Sequence, residues 1–134
     1  MNMEFGGYIN DVGAQRNQLP VIFNPDDLAI EKTVAAVCGE AGVVSMRCRP
    51  APEIGPYELT LYVENGQFLL MLSENEEDGE HNVRTPIDNN VVADFVIIFG
   101  EKYPAKAITR DIEFVCMTFK EFAHTGNVSE GLLR

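Results

Sequence analysis

Hydrophobic and polar positions along the chain alternate with two different periods, and the changes of period mark the elements. A short strand is predicted around "EFGGYI", followed by loop from Gly13 to Pro20. A helix then starts at Asn24 as N-cap, with Pro25 at its first position and Asp26 and Asp27 against the positive end of the dipole. Ile30, Val34, Val37, Cys38 and Ala41 step by three and four, so they form one buried stripe, and Gly39 or Gly42 ends it. "VVSMRC" reads as a strand. "RPAPEIGP", with three prolines and a glycine, is a connection that cannot sit inside a sheet.

The sharpest local signal is "YELTLYVE", Asn65-Gly66, "QFLLMLSE". An Asn-Gly pair between two β-rich runs selects a two-residue type I′ hairpin, because both turn positions need positive φ. Glu64 then stands opposite Gln67, and the pairs Val63 with Phe68, Leu61 with Leu70 and Leu59 with Leu72 share the core face. The other face carries Tyr62 with Leu69 and Thr60 with Met71.

Asp78-Gly79 turns the chain into a short strand around "HNVRT". "VVADFVIIFG" reads as a further strand, alternating through Val92, Asp94, Val96 and Ile98, with "AKAIT" beside it. The last helix begins near Thr109 to Asp111 and stops at Gly126; Ile112, Val115, Cys116, Phe119, Phe122 and Ala123 make its stripe, and Phe114 and Met117 widen the arc. The order β-α-β-β-β-β-β-α predicts a single α+β domain over residues 1–134, a mainly antiparallel sheet with two helices packed on one face. The opposite face is then expected to present Tyr62, Leu69 and Met71 uncovered.

Composition adds little until charge is divided along the chain. Met1 to Arg49 hold six acids and four bases, Lys102 to Arg134 four acids and five bases, but Pro50 to Glu101 hold eleven acids against Arg84 alone, a net charge of −10. Five of those carboxylates, Glu74, Glu76, Glu77, Asp78 and Glu80, fall within seven residues. Such a field repels phosphates and draws in basic surfaces, which argues against nucleic acid or an anionic membrane and for a basic protein partner. A solvated loop is the simplest account of the run. The alternative gains from the patch: Tyr62, Leu69 and Met71 as an apolar centre with the carboxylates as a charged rim make a steered interface.

Catalytic signals are missing. No GxSxG and no phosphate-binding glycine pattern is present, and Gly6-Gly7 reads as flexible or closely packed backbone near a strand. His124 suits the negative end of the last helix, and His81 closes the acidic loop. "ENEEDGE" fails the calcium-loop pattern, since Gly79 is sixth but the acids do not alternate and Thr85 stands twelfth. Cys38, Cys48 and Cys116 form no CxxC pair and read as buried reduced thiols. No cofactor, metal or catalytic residue is expected. "MNMEFGGYIN" has neither the basic nor the apolar region of a signal peptide, and no membrane-length apolar run follows, so a cytoplasmic protein is expected.

"FGGYIND", "PEIGPYELTLYVENGQFLLML" and "YPAKAITRD" leading into "FKEFAHTGNVSEGLL" resemble, in that order and over most of the chain, small bacterial immunity partners of polymorphic toxins, including contact-dependent growth inhibition. The resemblance implies a non-enzymatic inhibitor that binds a cognate toxin, such as a nuclease with a basic groove. A ligand-binding or enzymatic domain, and a homo-oligomeric subunit joined through the Tyr62 face, stand as alternatives.

Overall fold

The computed structural model describes every residue except Met1, Val12 and Ala14. β1 (Asn2–Asn10) places Met3 and Phe5 in the core and pairs along its whole length with β4 (Ala41–Arg49), Asn2 opposite Arg49 and Asn10 opposite Ala41. Gly7 stands opposite Val44, and a Cβ there would lie 2.0 Å from the Val43 carbonyl oxygen. Two short pieces share the other edge of β1, namely β2 (Arg16–Gln18) and β3 (Ile22–Phe23). The expected loop from Gly13 to Pro20 thus holds a short strand, with Ala14 outside the described residues.

The first helix, α1 (Asp27–Cys38), is capped by Asp26, whose side chain accepts from the Ala29 N–H at 2.8 Å. Asn24 is not the cap: its backbone takes a φ of 48° and its Oδ1 accepts from the Met3 N–H at 2.8 Å, tying the helix entry to β1. Ile30, Val34, Val37 and Cys38 are buried as the spacing predicts, and Gly39 closes the helix, whereas Ala41 and Gly42 already belong to β4.

β5 (Gly55–Glu64) and β6 (Gln67–Asn75) form the expected hairpin, with Asn65 and Gly66 at φ 53° and 70° and Glu64 opposite Gln67. Every cross-strand pair read from the turn is present. β7 (His81–Arg84) returns along β6, Asn75 opposite His81. Among the described residues eight strands form one sheet whose central order is β6-β5-β4-β1.

The chain then leaves the sheet. β8 (Phe95–Ile98) and β9 (Glu101–Pro104) form a separate two-stranded hairpin, where one strand through Val92 was expected; Val92 is 97% exposed. The turn between them is Phe99-Gly100, with φ 50° and 80°, and Phe99 is held there because its N–H donates to Glu64 Oε1 at 2.9 Å. A 3₁₀ turn (Ala105–Ala107) leads to β10 (Ile108–Thr109), which pairs with Leu69 and Phe68 of β6.

The final helix, α2 (Ile112–Thr125), starts at Asp111, which accepts from the Glu113 and Phe114 N–H groups, and ends at Gly126 with φ 75°. Val115, Phe119 and Phe122 are buried, but Ile112 and Met117 are exposed, so α2 has one buried face rather than the wider arc expected. Both helices contribute to one core on one face of the sheet, where the Phe5 and Phe119 ring centroids stand 5.2 Å apart. Glu31 with Lys120 and Asp27 with His124, the latter at 2.9 Å, join the helices outside it. This is an α+β domain with a mainly antiparallel sheet, as the pattern of periods predicts.

Candidate functional site at the acidic turn

The face opposite the helices is not open at Tyr62, Leu69 and Met71. Leu69 is 1% exposed, and Ile98, Val96, Phe99, Tyr103, Ala107 and Ile108 pack with it, Tyr62 and Met71 into a second small core. The expectation of an uncovered strip fails because the β8–β9 hairpin, distant in sequence, folds back over it. Burial also raises the Tyr62 hydroxyl pKa, with Glu58 adding to the effect.

The carboxylates lie at the other end of β6. Between β6 and β7 the chain turns through hydrogen bonds from Glu76 N–H to the Glu80 carbonyl at 2.9 Å and from Gly79 N–H to the Glu76 carbonyl at 3.0 Å. Asp78 Oδ1 accepts from the Glu80 N–H at 2.9 Å, and Gly79 takes the positive φ of 84°. This pins the backbone, and Glu76, Glu77, Asp78 and Glu80 are all exposed residues. Glu74 differs. It is half-buried, accepts from Asn82 Nδ2 at 2.6 Å and stands 3.6 Å from Arg84, so it belongs to the hairpin rather than to the open rim.

An apolar side chain does border this rim, from an element not expected to matter. The proline-rich connection before β5 is held to β6 by Asn75 Nδ2 donating to the Pro52 carbonyl at 3.1 Å. It carries Ile54, 59% exposed, into a concavity of about 580 Å³ shared with Glu74, Glu76, Glu77 and Asp78. On its other side Ile54 joins Pro50, Pro52, Pro56, Cys48, Thr125 and Gly126 around a second hollow of about 380 Å³. The sequence signal was an isoleucine among prolines, which no ladder can absorb. Ile54 is the residue the two hollows share, and carboxylates line one of them.

A different concavity, about 330 Å³, lies on the sheet face beyond the β8–β9 hairpin, lined by Glu4, Gly6, Tyr8, Gln18, Ser45 and Arg47 among others. Several of its polar groups are held by neighbours outside the lining: Arg47 bridges Glu58 at 2.6 Å, Ser45 Oγ lies 3.0 Å from Thr60 Oγ1, Glu4 pairs with Arg49 at 3.0 Å, and the Arg16 guanidinium caps the Tyr8 ring at 3.9 Å. Neither histidine lines it. His81 is exposed with its ring edge-on to Tyr57, and His124 faces Asp27. The Ser45 hydroxyl therefore meets no imidazole base in this hollow.

Burial raises the thiol pKa values of Cys38, Cys48 and Cys116; Cys38 is pushed up to about 12, with Cys116 adding to burial there. Cys116 is half-buried rather than buried as expected. Among the described residues no three His, Cys, Asp or Glu side chains are grouped to hold a metal ion, and no helix is long and apolar enough to cross a membrane.

No curated protein matches the chain. It is similar to the crystal structure of a hypothetical protein from Neisseria gonorrhoeae, with 29% sequence identity and a TM-score of 0.84 over 96% of this chain and 90% of that one. A family model described as "Family of unknown function (DUF6911)" matches residues 2–132, and the chain belongs to that family.

Proposed function

We propose that this protein is a non-enzymatic immunity protein that binds and neutralises a basic cognate toxin domain, such as a nuclease, in the cytoplasm of the cell that makes both. The observation that carries the reading is the juxtaposition of exposed Ile54 with Glu76, Glu77 and Asp78 on a turn whose backbone is already fixed. The apolar side chain supplies contact area, and the carboxylates speed encounter with a cationic surface and reject anionic ones. A preformed turn also spares the complex the entropy of ordering a loop. The resemblance to toxin-immunity partners supplies the biological class; the charge and the apolar neighbour supply the chemistry.

The test begins with capture of the partner from source cells and its purification, followed by association kinetics with Glu76, Glu77 and Asp78 each replaced by Lys. The expected result is an association rate at least about tenfold lower at low salt, with the salt dependence flattened. An unchanged rate overturns the acidic turn as the contact. A second reading, small-ligand binding, is favoured by the polar concavity at Ser45 and Arg47; it predicts ligand-dependent stabilisation of the isolated chain that Ser45→Leu abolishes.

A further inference from the structure

We infer that the outer edge of β7 accepts an extended basic segment of the partner as an added strand, an inference that rests on the acidic-turn reading and specifies how it is used. β7 pairs with β6 on one side, and among the described residues no strand pairs with His81–Arg84 on the other. Its unpaired N–H and C=O groups form a template for a further strand.

The other margins of the sheet are less fitted to this. The β1 side is occupied by two pieces of three and two residues with Pro20 between them, and β10 is two residues long. β7 contains no proline, runs four residues straight out of the acidic turn, and shows Val83 exposed on one face. Its far limit is set where the Arg134 N–H donates to the Thr85 carbonyl at 2.9 Å. The open stretch therefore spans His81 to Val83, ahead of Arg84, whose side chain is taken up by the C-terminal segment.

Charge selects the occupant. Sheet edges are commonly blunted by lysine, which repels basic strands; β7 itself carries His81 and an Arg84 engaged by the C-terminal segment, and its leading end adjoins Glu76, Glu77, Asp78 and Glu80. A second copy of this chain brings a net charge of −11 and the same turn to the edge, and is repelled. An extended segment with alternating Lys or Arg gains main-chain hydrogen bonds from β7 and charge pairing from the turn together. Those two contributions are separable by experiment.

The probe is a ten-residue peptide alternating Lys and Val, compared with the same peptide methylated at every backbone nitrogen and with an alternating Glu-Val peptide, each added to the full chain. Amide hydrogen exchange of residues 81–83 is expected to slow at least about tenfold with the first peptide, and the methylated one to bind at least about tenfold more weakly. If the methylated peptide binds as well and perturbs only Glu76–Glu80, strand addition is overturned while the acidic-turn reading stands. If the Lys peptide binds no better than the Glu peptide, both fall. Slowed exchange at residues 81–83 that appears with rising protein concentration and no peptide would overturn the basic-segment assignment in favour of a second copy.

Discussion

Arg84 is the lone base between Pro50 and Glu101, and it serves the fold rather than the charge balance of the acidic turn. Its guanidinium donates to the Val128 and Leu133 carbonyls at 2.6 and 3.0 Å and to Asn127 Oδ1 at 3.1 Å, beside Glu74, with only 11% of the side chain exposed. It clips the C-terminal segment onto β7, and Val128 and Leu133 complete the core beneath it. Arg84→Ala strands two buried carbonyls and a carboxylate, so unfolding in urea should show a loss of about 3 kcal/mol. Cys38 gives a second expectation at this scale. Its thiol is pushed up to about 12 by burial, above the ordinary 9.0, so the native state holds a proton that the unfolded chain releases between those values. Stability from this group is whole below pH 9 and falls as pH rises towards 12. Cys38→Ala should flatten the alkaline limb of a stability profile measured by chemical denaturation. A limb of unchanged slope would assign the alkaline loss to other groups.

Elements were legible where one or two residues fix the backbone locally. Asn65-Gly66 dictated a turn, the turn dictated register, and the register placed every pair from Leu59–Leu72 to Glu64–Gln67. Asp111 and Gly126 likewise bounded α2. The β8–β9 hairpin was illegible because its turn residue is Phe99, a poor residue for positive φ, which a carboxylate from another hairpin stabilises. The second apolar face of β5 and β6 could be read from sequence, but not what covers it, since that depends on a contact between Glu64 and a residue thirty-five positions on. The same blind spot made Tyr62, Leu69 and Met71 look like a surface, whereas Glu76, Glu77, Asp78 and Glu80, on a turn that Asp78-Gly79 signals locally, are exposed. Glu64→Ala removes the Phe99 acceptor without touching the main core. Exchange of amides in residues 95–104 should quicken about tenfold, the equivalent of one hydrogen bond, with the helices unchanged. Uniform quickening across the molecule would show instead that the hairpin and the main sheet open as one unit.

Across the whole molecule the charge is distributed unevenly: the sequence from Pro50 to Glu101 supplies nearly all of the net −11, while the cations of the Arg47–Glu58, Arg49–Glu4 and Lys120–Glu31 pairs all lie outside it. Those exposed pairs contribute little to stability, because solvent screens them and ordering two long side chains opposes them. The unpaired carboxylates at the acidic turn act oppositely, repelling one another in the folded state more than in the expanded chain. Salt therefore has two opposed targets, and the crowding of acids is the larger. Raising NaCl from about 10 mM to about 500 mM contracts the screening length from roughly 30 Å to under 5 Å and should raise the melting temperature. In the Glu76→Lys, Glu77→Lys, Asp78→Lys protein the same titration should give a clearly smaller rise, because the repulsion has been replaced by attraction to Glu74 and Glu80. If the two proteins respond equally to salt, the acidic turn is not where the molecule stores its repulsion, and the field that would steer a basic partner to Ile54 has another source.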